Sequence, residues 1–428
     1  MHFKYHIIST ILLLISAVSF GQDNAKGYYK DIFMDGGVRL TSKKDLPVAR
    51  YLDLSLEKVL SAATKDLTNL DTLNQTMMIA GSSLDENGIL LYPDGEPRFR
   101  MIYVNGGLAT QHGRSLGEEG REAIRKYIAN GGSYVGSCAG AFLVGRYCDE
   151  VEPQIRKEYL DIWTGGYGIT TGISDSYTGM LVPDDSPLLN YYDFGGDHFI
   201  DSVYHNNGCY ACNDGRAPEG TEILLRYVAD TFKLNPPVHM EASCWAYKKD
   251  DRSGRVIAMG SHPESKCTDE RLDLMASLVK YAMDGNGAPS IKGVLKNGET
   301  RTMKLMTHDD DPDFTCIGDR QYHHFCIDIP EGTSEVLISL GHLVGRDNYD
   351  MHLFARYGNL AFMDNADYRN IALGFDKAIL IRKPKAGKLY LSVFCATTVD
   401  TKETFYGTQY TGRTDVLNGV PYTITVTY

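Results

Sequence analysis

The sequence predicts an α/β domain followed by an all-β sandwich. Three observations predict it: strand and helix patterns alternate over residues 99–145, the pattern breaks at 284–290, and short β-branched, aromatic-rich runs fill the remainder. With 428 residues the chain is long enough for two such units.

Residues 1–21 read as an export signal ahead of both. MHFKYH is followed by the apolar run IISTILLLISAVSF, and Ser19-Phe20-Gly21 places small residues where a signal peptidase cuts before Gln22. The run is too short for a membrane span, and no cysteine follows it to carry a lipid. The expectation is a protein exported to the periplasm or the medium, with no membrane span.

The α/β unit is assigned to residues 22–284. FRMIYVNGG, 99–107, is an apolar strand ending on a glycine pair. A loop and a helix over EEGREAIRKYIANGG follow, with Ala123, Ile124, Tyr127 and Ile128 at helical spacing and Asn130-Gly131-Gly132 as the stop. SYVGSC then reads as a second strand and AGAFLVGRYC as a second helix. Such β-α-β-α order implies a parallel sheet with helices over its faces, and binding crevices beyond the carboxyl ends of its strands. Gly106, Gly107 and Cys138 would lie at that edge. Farther on, HMEASCWAYKKDDRSGRVIAMGSHPE predicts two strands joined by a turn at Asp250–Gly254. A helix from about Asp269 to Met283 turns Leu272, Met275, Leu278, Val279 and Ala282 inward.

DGNGAPS, 284–290, marks the boundary. The runs FCIDIP, SEVLISL, YDMHLFARYG, KAILIRK, KLYLSVFC and YTITVTY then predict a sandwich over 290–428.

A net charge of −12 argues against a nucleic-acid partner, because a phosphate backbone needs a basic face. Nine cysteines, an odd number, leave at least one thiol outside any intramolecular pairing in an oxidising compartment. Cys209-Tyr-Ala-Cys212 has redox-motif spacing but lacks a thioredoxin-like surrounding, so a structural bridge or unpaired thiols fit it better. No cluster has zinc-site spacing.

Cys138 carries the chemical signal. In GGSYVGSCAGAFLVG, Gly136, Ala139, Gly140 and Ala141 are the small residues that a sharp strand-to-helix elbow tolerates around a nucleophile. A buried packing cysteine is the bland alternative. The Ala139 N–H would face a developing oxyanion, and Gly107 can supply a second donor. A cysteine nucleophile usually works with an imidazole, and GSHPES, 260–265, offers His262. Pro263 keeps that segment extended, so His262 and Glu264 can face the same side, the carboxylate holding the ring. Strand RVIAMG would deliver them beside Cys138 if the two strands are neighbours.

These residues resemble the class I glutamine amidotransferase-like superfamily with its Cys-His-Glu triad, and more closely the family related to the N-terminal domain of biotin-protein ligases. YVNGG, NGGSYVGSCAGAF, VYHNNGCY at 203–210, EILLRYVAD and GRVIAMGSHPE occur in that family's order across roughly 30–284. The resemblance implies a flavodoxin-like three-layer fold, Cys138 as nucleophile, His262 as base, Glu264 as its partner, and Gly107 with Ala139 as the oxyanion hole. Gly106 would line a substrate pocket, and His205 and Asn207, in VYHNNG, are equally consistent with that pocket and with a polar turn. Asn105 stands where the family more often has proline, and Ala139 where some of the wider superfamily have histidine. The second unit resembles the bacterial pre-peptidase C-terminal domain through HHFCIDIPEGTSEVLISL, YDMHLFARYG and PKAGKLYLSVF, which implies an accessory or substrate-binding role.

Other polar clusters carry less. Asp197 and His198 are equally consistent with pocket and turn, HDDDPD at 308–313 with a solvated acidic turn rather than calcium, and His323-His324 with strand surface. Trp163 and Trp245 read as packing or pocket wall. The expected function is an exported cysteine hydrolase cutting an amide of a small molecule, peptide or glycan, with no cofactor, metal or obligate protein partner. The alternatives are a non-catalytic glycan- or peptide-binding protein, and a glutaminase subunit of an amidotransferase.

Overall fold

The computed structural model describes residues 27–36, 46–60, 87–146, 155–234, 237–307, 311–345, 347–404 and 407–428. The export signal, Cys148 and residues 308–310 of the acidic run lie outside the described residues.

The first unit is built on a mixed sheet. Its parallel half comprises β1 (Lys30–Gly36), β2 (Leu56–Leu60), β3 (Phe99–Val104) and β4 (Ser133–Ser137). The other strands are β5 (Tyr167–Ile169), β6 (Ser176–Leu181), β7 (Phe199–His205), β8 (Cys209–Ala211), β9 (Thr221–Val228), β10 (Ala242–Tyr247) and β11 (Val256–Met259). The order is β2-β1-β3-β4-β11-β10-β9-β6-β7, with β8 beside β10 and β5 beside β8. β11 runs parallel to β4, whereas β10, β9, β6 and β7 continue antiparallel. The sequence pattern therefore predicts the β3–β4 order and the β10–β11 hairpin but not β5 to β9, which extend the sheet beyond β10.

Among the described residues the α-helices are α1 (Pro47–Tyr51), α2 (Ala109–Ala129), α3 (Ala139–Leu143) and α4 (Glu270–Asp284). Strand alternation sends Ile102, Val104 and Tyr134 into one core with Ile124, Tyr127 and Ala141, and Met101, Tyr103 and Val135 into another with Met275, Leu278 and Val279. Leu272 is only partly buried at the second core's margin. The helix expected over AGAFLVGRYC shrinks to five residues, because Gly145 turns away. A Cβ at Gly145 would meet the Tyr167 ring at 1.8 Å. The turn between β10 and β11 forms as the composition dictates, the Asp250 carboxylate accepting from the N–H groups of Arg252 and Ser253 at 3.1 and 2.7 Å.

The second region is all-β. A five-stranded sheet (Ile291–Val294, Tyr322–Ile329, Gly387–Cys395, Met351–Tyr357, Tyr368–Asn370) accompanies a four-stranded one (Thr300–Met303, Tyr422–Thr427, Glu335–His342, Lys377–Arg382). Along Lys377–Arg382 buried and exposed residues strictly alternate, as one wetted face requires. One hairpin leaves this region: Asp400–Thr404 pairs with Gly407–Thr411, and Gly407 pairs with Val59 of β2. The first unit's sheet thus acquires its edge strands from the far end of the chain.

Candidate active site

Cys138 occupies the turn between β4 and α3 at φ 47°, ψ −102°, a conformation that non-glycine residues seldom adopt. Its N–H donates to the Met259 carbonyl at 2.8 Å, and its carbonyl accepts from Phe142 at 3.0 Å. The small neighbours are explained by contact. A Cβ on Gly136 would lie 2.4 Å from the Gly140 carbonyl carbon, and one on Gly140 would lie 2.3 Å from the Val104 carbonyl oxygen. The turn can close only because both are glycine. Cys138 stands as a free thiol, 7% exposed.

β11 pairs with β4 in parallel register, Met259 opposite Ser137, so the segment after β11 emerges beside the cysteine. There the His262 N–H donates to the Tyr204 carbonyl at 2.8 Å, and its Nδ1 lies 2.9 Å from Glu264 Oε1. The same carboxylate oxygen accepts from Ser137 Oγ at 3.1 Å, and Ser137 Oγ accepts from the Tyr103 hydroxyl at 3.4 Å. Glu264 is 4% exposed and His262 7%. Burial alone would lower the imidazole pKa, but the hydrogen bonds and charges of Cys138 and Glu264 outweigh it and raise His262 to about 10. The structure therefore brings Cys138, His262 and Glu264 together, with Nδ1 committed to the carboxylate and the sulfur acting on the same ring.

Gly106 and Gly107 end β3 alongside. A Cβ on Gly106 would sit 2.1 Å from His262 Cε1, so the ring rests against the glycine. Gly107 adopts φ 148°, a backbone that favours glycine, and is exposed next to the turn. Substituting Gly106→Ala is expected to push the imidazole aside and slow any Cys138-dependent turnover about 100-fold, the usual consequence of a misplacement near 1 Å. Measured rates within a few-fold of wild type would show that the ring position is immaterial.

His205 is placed differently from a pocket residue. It is fully buried: Nδ1 is 2.8 Å from Ser261 Oγ, Nε2 contacts Thr170 Oγ1 and accepts from the Gly208 N–H at 3.2 Å. Burial, then the charge of His262, lowers its pKa to about 3. It braces the 205–208 loop from beneath rather than facing substrate. Asn207 is exposed on that loop at φ 50°, its amide donating to Ser174 Oγ at 3.3 Å. The loop's Asn206 carbonyl lies 3.9 Å from Cys138 Sγ.

Tyr204, Ser137 and Tyr103 escaped the sequence analysis. Tyr204 places its ring 5.5 Å from His262 and donates its hydroxyl to Asp175 at 3.0 Å. Its location within VYHNNG was the available signal; Ser137 and Tyr103 offered none beyond lying on strands that end at the site. Asp197 and His198 bond instead to the Phe199 N–H and to Asp184. His323 and His324 are buried, not on the strand surface as expected: β-sandwich packing covers them, with Tyr422 and Ser392 as hydrogen-bond partners. Trp163, Trp245 and Tyr167 pack ring against ring at 5.1 to 5.5 Å. Among the described residues no group of three acidic, histidine or cysteine side chains has the arrangement of a metal site. No described helix is long and apolar enough to cross a membrane.

The family described as "Biotin-protein ligase, N terminal" matches residues 85–159, a stretch containing Gly106, Gly107 and Cys138 but not His262. This supports a likeness to biotin-protein ligase N-terminal regions and suggests a glutamine amidotransferase-like fold for that part of the chain. No curated protein matches. Among solved structures, the pre-peptidase C-terminal domain of collagenase from Bacillus anthracis is 14% identical, with 33% of this chain and 99% of that chain covered and a TM-score of 0.19. PliG of Aeromonas hydrophila, a periplasmic inhibitor of g-type lysozyme, is 13% identical, with 33% and 98% covered and a TM-score of 0.19. Scores that low assign neither fold nor function.

Proposed function

We propose that the chain is an exported cysteine hydrolase that cuts an amide or related acyl bond, on a flavodoxin-like, class I glutamine amidotransferase-like three-layer unit. The observation that carries this is the Glu264–His262 bond of 2.9 Å on a ring that also interacts with Cys138 at a strained elbow. An imidazole raised to about 10 holds its proton at neutral pH, where it can be given to a leaving group.

In this mechanism Cys138 Sγ attacks the substrate carbonyl carbon, and the oxyanion rests on the N–H groups of Gly107 and Ala139. As the tetrahedral species collapses, the C–N bond breaks and His262 gives its proton to the departing amine. Water then attacks the thioester, His262 takes a proton from it, and the carboxylic acid leaves with the sulfur restored. Glu264, held by Ser137, keeps Nδ1 occupied so that Nε2 serves the reacting atoms. Hydrolysis is preferred over amide transfer because no synthetase or nucleotide-binding segment occurs in the sequence.

The test is modification of native and acid-unfolded protein by iodoacetamide and by p-nitrophenyl acetate, followed by peptide mass analysis. The expected result is selective native labelling at Cys138, with the acyl adduct lost in Cys138→Ala. Equal alkylation of that peptide in both states, with no acyl adduct, overturns the proposal.

A further inference from the structure

A second polar pair lies behind the site, and the mechanism above makes no use of it. Asp35 sits at the end of β1, in register with Val104 of β3. Its Oδ2 accepts from His112 Nε2 at 2.9 Å. His112 is 0% exposed and Asp35 1%, so neither can touch substrate. His112 belongs to the first turn of α2, five residues after Gly107, and its N–H donates to the Leu108 carbonyl at 3.0 Å. Its own carbonyl accepts from Ser115 Oγ at 2.7 Å.

The segment after the pair is clamped as well. Arg121 donates to the Gly113 carbonyl at 2.6 Å, and a Cβ on Gly113 would lie 1.9 Å from the Glu158 carbonyl oxygen. Between β3 and this fixed turn lie the four residues 105–108, of which Asn105 and Gly106 are buried and Gly107 and Leu108 are the exposed span left to be oriented. The β3 end is fixed too: the Val104 carbonyl oxygen lies against Gly140 of α3, and Tyr134 donates to the Gly140 carbonyl at 2.9 Å. The Asp35–His112 contact thus ties β1 to the turn that carries one oxyanion donor, beside the helix that carries the other. A buried hydrogen-bonded pair adds little net stability over an apolar pair of similar shape, so its value lies in the geometry it imposes.

We propose that Asp35 and His112 are positioning residues that set the Gly107 N–H toward the oxyanion formed at Cys138. This rests on the hydrolase function proposed above. The two functions of the site separate chemically. Alkylation by iodoacetamide displaces iodide without forming an oxyanion, whereas acylation by p-nitrophenyl acetate passes through one.

The experiment compares both second-order rates at Cys138 in wild type, His112→Gln, Asp35→Asn and the double variant His112→Leu with Asp35→Leu, which leaves no uncompensated buried charge. In the double variant alkylation is expected to stay close to wild type while acylation falls about tenfold or more, part of the 100- to 1,000-fold that loss of an oxyanion donor costs. His112→Gln, whose amide nitrogen reaches about as far as the Nε2 that bonds Asp35, should recover part of the loss and supplies the comparison if the double variant fails to fold. Acylation and alkylation that change together, or acylation that does not change, overturn the positioning role. A wild-type protein that is alkylated but never acylated overturns the hydrolase function itself, and this inference with it.

Discussion

A chain ended at residue 289 is expected to yield no soluble, cooperatively folding protein, although the break at 284–290 reads as a boundary. The reason is what the last 139 residues supply to the first unit. Arg98, 1% exposed and just before β3, donates to both carboxylate oxygens of Asp319 at 3.0 and 3.1 Å. Its guanidinium also lies 4.5 Å from the Tyr29 ring and 5.7 Å from that of Tyr410. Asp94, its side chain also buried, receives Lys292 Nζ at 2.6 Å and Gln321 Nε2 at 2.7 Å; burial would raise its carboxyl, but the Lys292 charge and the His323 ring hold it far below the ordinary range. Removing one partner of a buried ion pair costs about 3–5 kcal/mol, against a total stability of about 5–15 kcal/mol. Truncation would remove the partners of two such groups and the edge hairpin on β2 together. Asp319→Asn isolates one contribution and should lower stability by roughly 3 kcal/mol in urea unfolding. A truncated protein that is monomeric and unfolds cooperatively near the wild-type midpoint would show the seam to be dispensable.

That seam also shows which features the sequence discloses. Cys138, His262 and Glu264 announce themselves because their constraints are local: glycines around a tight turn, and a proline that keeps the histidine extended. The parallel β4–β11 pairing then carries the two segments to the same sheet edge. The six β-branched runs after residue 290 all appear as strands for the same reason, since alternation is a nearest-neighbour property. The hairpin at 400–411 escapes notice because polar residues such as Lys402 and Gln409 form an edge strand without a hydrophobic face. Arg98 and Asp319 are 221 positions apart, and nothing in either neighbourhood specifies the other. His205 and His112 are misjudged or missed by the same logic: a histidine's exposure depends on which distant element covers it. The match over 85–159 ends before His262 and takes in Asp94 and Arg98 without their partners Lys292, Asp319 and Gln321.

Acidification is expected to destabilise the protein steeply well above the range in which carboxylates titrate, and three buried histidines set the sign. Burial lowers His205 to about 3, His323 to about 4 and His324 to about 3, from an ordinary value of 6.5. Nearby charge contributes as well, His262 acting on His205, and His323 and Lys292 on His324. Between pH 6.5 and 4 the unfolded chain binds protons at these positions and the folded chain does not, so stability falls as pH falls. Each group contributes about 1.4 kcal/mol per pH unit, and the three together about 4 kcal/mol per unit once the pH is well below 6.5. His262 acts with the opposite sign. Raised to about 10, it is protonated in both states below 6.5, where its contribution is complete, and that contribution fades as pH rises from 6.5 through 10. Urea midpoints should therefore drop sharply from pH 7 to 5, and His324→Asn, whose amide stands where Nδ1 makes the 2.7 Å contact to Ser392 Oγ, should flatten the slope by about one third. A midpoint that stays level over that interval would mean that these imidazoles reach solvent, and that the sandwich core around His323 and His324 and the brace beneath the 205–208 loop are not closed as described.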